Sequence, residues 1–267
     1  MPGEERLSIV KRYMGVKKIV LGLIQTKSFE NPETNTRRAT QKVEQAAKHG
    51  AQIICLGELY RAPYFPQKKR SDARAYAETI PGQSTKVFST LAKKYGVVII
   101  VPIFEKTKNK KYYNTALVID HRGKILAQYR KLHIPHDPKF YEQNYFEEGN
   151  RGYQIYKTKF GTFAVLICFD QWFPEAARAV KLLGADIIFY PTAIGRFIGY
   201  TPKEGDWHEA WEIMQRSHAI ANSAVVVAVN RVGQEEKIRF WGQSFICDAF
   251  GIIIKRASSQ KEETLVV

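Results

Sequence analysis

Residues 162–190 read TFAVLICFDQWFPEAARAVKLLGADIIFY, and this stretch decides the fold. The apolar run 162–168 predicts a buried strand. Pro174 opens a helix that Gly184 stops. The run 186–190 (DIIFY) predicts the next strand. A strand, a helix and a second strand within thirty residues point to an α/β architecture.

The same alternation extends in both directions. Upstream, 17–25 (KKIVLGLIQ) and 52–57 (QIICLG) predict buried strands. Between them Asn31-Pro32-Glu33 opens a helix to His49, with Ala39, Val43, Ala46 and Ala47 on one face and Gly50 as terminator. A helix over 84–95, capped by Ser84 and stopped by Gly96, leads to a strand at 97–104. The runs 113–120 and 124–131 form a hairpin about His121-Arg122-Gly123. Strands at 153–157 and 162–168 meet at Phe160-Gly161. Downstream come a helix at 206–222, a strand at 224–230 and a strand pair within 243–256 around Phe250-Gly251. Two long loops, 58–82 and 132–150, interrupt this pattern. Strands flanking helices and strands pairing as hairpins imply a mixed sheet with helices outside, or two such sheets face to face. There is no repeat, low-complexity tract or linker. The expected organisation is one domain over 17–267 with residues 1–16 as a peripheral extension.

The 267 residues are 45% hydrophobic and 25% charged, which suits a folded globular chain and excludes a disordered, collagenous or disulfide-scaffold protein. Net charge is +15, with the basic residues scattered as pairs and triples in loops and at helix ends. That pattern reads as a solvated surface and not as a nucleic-acid or membrane face. No run reaches the ~18 apolar residues of a membrane span, and the N-terminus lacks a signal-peptide core. The expected compartment is therefore the cytoplasm, with reduced thiols. Cys55 and Cys247 lie in apolar runs and read as core residues, and no Cys/His spacing suggests a metal.

Cys168 stands apart, between a strand and a helix entry, where the helix terminus and nearby cations favour thiolate. Glu58 closes the apolar run QIICLGE, and desolvation there raises a carboxyl toward general-base range. Lys131 closes KILAQYRK and can hold a developing oxyanion. Each also has a plainer reading: a core thiol, a loop acid, one more surface lysine. Together they form a coherent set of base, oxyanion holder and nucleophile.

LGELY (56–60), YRKLHIPHD (129–137) and LICFDQWFPEAAR (166–178) resemble the three signatures of the nitrilase superfamily of carbon–nitrogen hydrolases. The stretch 129–233 is similar to one branch in particular, the N-carbamoylputrescine amidases. The resemblance implies a four-layer αββα sandwich, catalytic Glu58, Lys131 and Cys168, and a second active-site acid at Glu142. It implies no metal or organic cofactor, and a homo-oligomer assembled through the nucleophile-bearing face. It also implies an oxyanion contact from the Phe169 N–H, and a further strand and tail beyond EETLVV, where this chain stops.

For the substrate, Tyr60, Tyr64, Phe65 and Trp172 are candidate pocket walls, joined by His133, Phe169, Asp170, Thr192 and Ala193. The absence of a cation after the nucleophile favours a small-molecule carbamoyl amine over a carbamoyl acid. Asp170, Asp137, Glu175 or Glu209 could meet its ammonium. Pro66, Phe169 and Glu209-Ala210-Trp211 depart from the branch's usual residues. The rival readings are an amidase for a carbamoyl acid or simple amide, a catalytically silent scaffold, and a nucleic-acid binder.

Overall fold

Two six-stranded mixed sheets lie face to face, each with a helical layer on its outer side. The computed structural model describes residues 18–203 and 205–267, so the expected extension at 1–16 and Lys17 of the first strand lie outside the described residues. The first sheet contains β1 (Leu21–Gln25), β2 (Ile53–Leu56), β3 (Val98–Lys106), β4 (Tyr112–Ile119), β5 (Ile125–Arg130) and β17 (Glu263–Val266), in the order β17-β1-β2-β3-β4-β5. The second contains β8 (Ile155–Thr158), β9 (Gly161–Val165), β10 (Ile187–Pro191), β12 (Val225–Val229), β15 (Phe245–Cys247) and β16 (Ile253–Arg256), in the order β16-β15-β12-β10-β9-β8. Strands β1, β2 and β3 are parallel, as are β9, β10 and β12. Parallel neighbours need crossovers, and the helices supply them. Helices α1 (Pro32–Lys48) and α2 (Gln83–Tyr95) serve the first sheet, and α3 (Pro174–Leu182) and α4 (Trp207–Asn222) the second.

Alternation along the strands explains the layering. Leu21, Leu23, Ile53, Cys55, Val98 and Ile100 enter the core between the sheets, while Ile24, Ile54, Leu56, Ile99 and Val101 pack on α1 and α2. Both faces are covered, so these strands read as unbroken apolar runs in the sequence. Gly22 faces the helices, where a Cβ would lie 3.1 Å from the side chains of Ala51 and Ile54.

The differences from the sequence reading are local. Helix α2 starts one residue earlier than expected. Its cap is Gly82, whose N–H donates to Thr85 Oγ1 at 2.6 Å, while Ser84 is buried and bonded to Glu78. The loop 132–150 contains a short pair, β6 (His136–Asp137) and β7 (Phe140–Tyr141). A third sheet went unread: β11 (Gly195–Phe197), β13 (Val232–Glu235) and β14 (Ile238–Trp241), in the order β11-β14-β13. Its hairpin turns at Glu236, a non-glycine residue with φ +48°, and so shows none of the glycine or asparagine that marks such turns. The residues EETLVV include strand β17, which pairs antiparallel with β1. No helix among the described residues is long and apolar enough to cross a membrane.

Candidate active site

The carboxyl ends of the parallel strands in both sheets open toward one crevice, the place where open α/β sheets bind ligands. Glu58 follows β2, Lys131 follows β5, Cys168 follows β9, Ala193 follows β10, and Arg231 follows β12.

The strand entering Cys168 is shorter than the apolar run suggests. Regular pairing ends at Val165, Leu166 N donates once more to Phe189 O, and Cys168 begins a short 3-10 turn over Cys168–Trp172. Its φ is +45°, a left-handed value that costs a non-glycine residue about 1–2 kcal/mol. The surrounding bonds sustain that conformation. The Asp170 carboxylate accepts from Ile167 N–H at 2.8 Å, and Gln171 Oε1 accepts from Trp211 Nε1 at 2.9 Å and Gln215 Nε2 at 2.8 Å. His218 Nε2 donates to the Gln171 carbonyl at 2.7 Å. The nucleophile candidate therefore sits on a sharp corner pinned to α4.

Asp170 also corrects the sequence reading, which placed it against substrate. It is fully buried and accepts from Tyr129 OH at 2.7 Å, His133 N at 3.1 Å and His133 Nδ1–H at 2.7 Å. Tyr129 and His133 flank Lys131. One carboxylate thus ties the lysine-bearing strand to the cysteine-bearing turn.

Lys131 is buried between two carboxylates, 2.9 Å from Glu58 Oε1 and 2.7 Å from Glu142 Oε2, and all three side chains are fully buried. Asn114 Nδ2 donates to Glu58 Oε1 at 2.7 Å, and Tyr64 OH donates to Glu142 Oε1 at 2.7 Å. Glu58 Oε2 has no hydrogen-bond partner among the described residues. A buried carboxylate oxygen without a donor costs free energy, and it is the atom available to take a proton.

Electrostatics follow from burial plus a surplus of negative groups. Burial alone would lower the Lys131 pKa, but Glu142 and Glu58 hold it above the usual lysine range. Burial, opposed by Lys131 and reinforced by the Glu58 charge, raises the Glu142 carboxyl. Burial and then Glu58 push the Cys168 thiol well up, only partly countered by Lys131 and by the Ala193 N–H donated to its sulfur. Burial thus favours the thiol form of Cys168, the opposite of the thiolate that its place at a helix entry suggests.

Arg231 was missed by the sequence reading. It is buried, with Nη2 donating to the Glu58 carbonyl at 2.7 Å and Nη1 to Glu235 at 2.8 Å. Glu235 in turn accepts the Tyr64 N–H at 2.5 Å. The pair therefore fixes the segment 58–64, which carries both Glu58 and the Tyr64 hydroxyl on Glu142, and whose Leu59 has φ +49°. The only signal was an arginine directly after an apolar strand.

Above this polar floor opens a cavity of about 920 Å³ that reaches Cys168 and Glu142. Phe169 and Trp172 line it, with Phe140, Ile194, Phe197 and Tyr200. Other expected wall residues are placed elsewhere. Tyr60 packs edge-on to Phe88 in the helix-side core, with its hydroxyl on Ser84. Phe65 belongs to an aromatic cluster with Phe104, Tyr145 and Phe146. Tyr64 is buried beneath, on Glu142. His133 stacks on Phe173 at 3.7 Å. Thr192 Oγ1 donates to the Tyr190 carbonyl at 3.0 Å, and Ala193 presents only its N–H to the sulfur. Of the four acids considered for an ammonium, Asp137 lines the cavity, whereas Asp170, Glu175 and Glu209 do not. Lys139 and Lys237 line it too. Among the described residues no group of three His, Cys, Asp or Glu side chains is placed to hold a metal ion.

Comparisons with known proteins identify relatives of this chain. The carbon-nitrogen hydrolase family model matches residues 20–267. An N-carbamoylputrescine amidase of Oryza sativa subsp. japonica is 39% identical over 93% of this chain and 85% of its own. A citrullinase of Francisella tularensis subsp. tularensis is 37% identical over 92% and 87%. The crystal structure of a carbon-nitrogen hydrolase from Helicobacter pylori G27 matches with a TM-score of 0.88 at 37% identity, covering 93% of this chain and 88% of that one.

Proposed function

The chain belongs to the carbon–nitrogen hydrolase family, and we propose that it cleaves the carbamoyl group of N-carbamoylputrescine through a covalent intermediate on Cys168. The observation that carries the mechanism is the buried Lys131 held between Glu58 and Glu142, with Glu58 Oε2 left without a partner. Glu58 takes the thiol proton as sulfur attacks the carbamoyl carbon. The oxyanion that forms is held by Lys131 Nζ and by the N–H of Phe169, at the start of the 3-10 turn where backbone donors lack intrahelical partners. Protonated Glu58 returns its proton to the leaving nitrogen as the C–N bond breaks, leaving an S-carbamoyl enzyme. Glu58 then deprotonates water, which releases a carbamate that falls apart. The sum is carbamoyl amine plus water giving amine, ammonia and carbon dioxide. Glu142 positions Lys131 and balances its charge.

Phe140, Phe169, Trp172, Phe197, Tyr200 and Trp207 give the cavity apolar surface for a four-carbon chain, and Asp137 is the cavity acid able to meet a distal ammonium. A second reading is favoured by Lys139 and Lys237, which could hold a carboxylate. With Asp137 they would suit a ureido amino acid of the citrulline kind. Steady-state kinetics on N-carbamoylputrescine, citrulline and N-carbamoyl-β-alanine, read by ammonia release, test both. The expected order of kcat/KM puts the carbamoyl amine first. A preference for citrulline installs the second reading, and a preference for the carbamoyl acid overturns both.

Leu182, Leu183, Ile213, Ile220, Phe250, Ile252 and Ile254 are exposed apolar side chains on α3, α4 and the β15–β16 hairpin. Exposed apolar groups concentrated on one set of elements mark an association face, and a second copy of this chain is the occupant proposed here. Light scattering should give at least a dimer, and Leu182→Glu with Ile220→Glu should dissociate it.

A further inference from the structure

The two carboxylate oxygens of Glu58 are held unequally. Oε1 accepts from Lys131 Nζ at 2.9 Å and from Asn114 Nδ2 at 2.7 Å, whereas Oε2 has no partner among the described residues. The lysine has its share in the proposed chemistry as the oxyanion holder. The asparagine is a neutral group with no such share, yet it occupies the same oxygen.

Its place in the fold is costly. Asn114 lies within β4, between Tyr113 and Thr115, and is fully buried. Asparagine is depleted in strands, and a buried amide is stable only when its donor and acceptor sides are matched. Only the donor side is matched here, because Oδ1 has no partner among the described residues. An apolar side chain of similar size would avoid that cost. The amide nitrogen faces Glu58 because an ionised carboxylate only accepts. The backbone of the same residue serves the site as well. The Asn114 carbonyl accepts the Lys131 N–H at 2.9 Å, beside the register pair Thr115–Arg130. One residue thus bonds to Glu58 Oε1 itself and anchors the backbone of the other donor to it.

We infer that Asn114 is a positioning residue that decides which oxygen of Glu58 acts as the base, an inference that rests on the hydrolase reading of the site. With Oε1 occupied twice, the proton that leaves the Cys168 sulfur forms its new bond to Oε2, and it passes from Oε2 to the leaving nitrogen. An amide suits this task, since near neutrality it neither takes nor gives up a proton and adds no charge beside Lys131. The last torsion of a glutamate side chain has a broad, two-fold profile, so without the amide the carboxylate can turn and offer either oxygen.

Two nearly isosteric variants of the full chain test this through steady-state ammonia release from N-carbamoylputrescine. Asn114→Leu should lower kcat about 10- to 100-fold and leave KM within about threefold. Asn114→Asp should reverse the slope of the pH profile. Protonated, its carboxyl can donate to Oε1 as the amide does; ionised, it repels Glu58. Its kcat should therefore approach the unmodified value at acid pH and fall as pH rises, where the unmodified chain gains activity. A residue that only packs β4 would not reverse that slope. An unchanged kcat in Asn114→Leu, a loss carried by KM alone, or an Asn114→Asp profile that keeps the unmodified slope overturns the inference. If Asn114→Leu melts early by circular dichroism, the slope in Asn114→Asp decides alone. If the unmodified chain releases ammonia from no ureido compound, it is the hydrolase reading that fails. The inference is then read from alkylation of Cys168 by iodoacetamide, followed by mass spectrometry, in which Glu58 takes the same thiol proton. Slower alkylation in Asn114→Leu upholds it, and an unchanged rate overturns it.

Discussion

The floor and the wall of one crevice are built differently. On the floor, Glu58, Lys131 and Glu142 are fully buried, and each is held by charge-assisted hydrogen bonds from neighbours that are themselves buried. On the wall, Asp137 and Lys237 are exposed, and Lys139, Phe197 and Trp172 are partly so. The floor is costly to alter, because removing one partner strands another charge without water. The wall is cheap to alter, because its groups keep solvent. Under the proposed function, reaction type therefore resides in the floor and substrate choice in the wall.

The comparison is challenged most severely at the sulfur. Cys168→Ala should lower kcat at least about 10⁴-fold, with thermal stability nearly unchanged because only one atom, bordering the cavity, is removed. A residual rate near normal by ammonia release would remove the nucleophile from the scheme. Lys131→Met should follow at about 10²- to 10³-fold in kcat, the usual cost of one oxyanion donor. It should also disturb folding more than the cysteine variant does, since two buried carboxylates lose their shared cation.

Next come the clamps beneath the floor. Asp170→Asn keeps the shape but loses the charge that four donors share, and Arg231→Lys loses the fork that spans the Glu58 carbonyl and Glu235. Each should lower kcat about 10- to 100-fold with little change in KM, because the displaced groups act on the transition state and not on ground-state binding. A change in KM alone would place these residues with the wall.

These clamps also show where sequence reading stops. Glu58, Lys131 and Cys168 could be singled out because each closes a run that reads as a strand, and the sheet order makes such strand ends converge. Asp170 was misassigned because proximity to the nucleophile along the chain does not reveal that Tyr129 and His133 arrive from another sheet with their donors. Tyr60 was misassigned because the left-handed turn at Leu59, which nothing in the composition signals, precedes it and its ring lies in the helix-side core. The left-handed corner at Cys168 and the unmarked turn at Glu236 carry no compositional sign, since tertiary bonds sustain them against local preference.

A subtler test uses pH. Glu142 titrates above the ordinary carboxylate range because burial and the Glu58 charge outweigh the help of Lys131. As pH falls through that raised value, Glu142 gains a proton and Lys131 loses one of its two anionic supports. The acid limb of kcat/KM should therefore lie above the range of a solvated carboxyl. Tyr64 OH stabilises the ionised form, so Tyr64→Phe should move that limb further up while leaving the plateau rate within about tenfold. The sign for stability is the reverse of a salt-bridged acid. A carboxyl whose folded pKa is raised favours the fold when protonated, so Glu142→Gln, which leaves Lys131 paired with Glu58, should lower the melting temperature less than Lys131→Met does near neutrality while losing activity. A downward shift of the limb in Tyr64→Phe would contradict the assignment of that bond.

The smallest effects belong to the wall, and they decide the substrate. Asp137→Asn should raise KM for N-carbamoylputrescine several-fold, because one solvated ion contact contributes about 1 kcal/mol at most. Lys237→Gln should leave that KM unchanged or lower it, since it removes a like charge from the path of a cationic chain. For citrulline the lysine change should instead raise KM, its carboxylate having lost a partner. Opposite movements of the two substrates in one variant would show that the wall sorts ligands by charge while the floor turns them over alike. Equal movements would mean that selection happens deeper, at Phe169 and Trp172, where the chain meets rings and not charges.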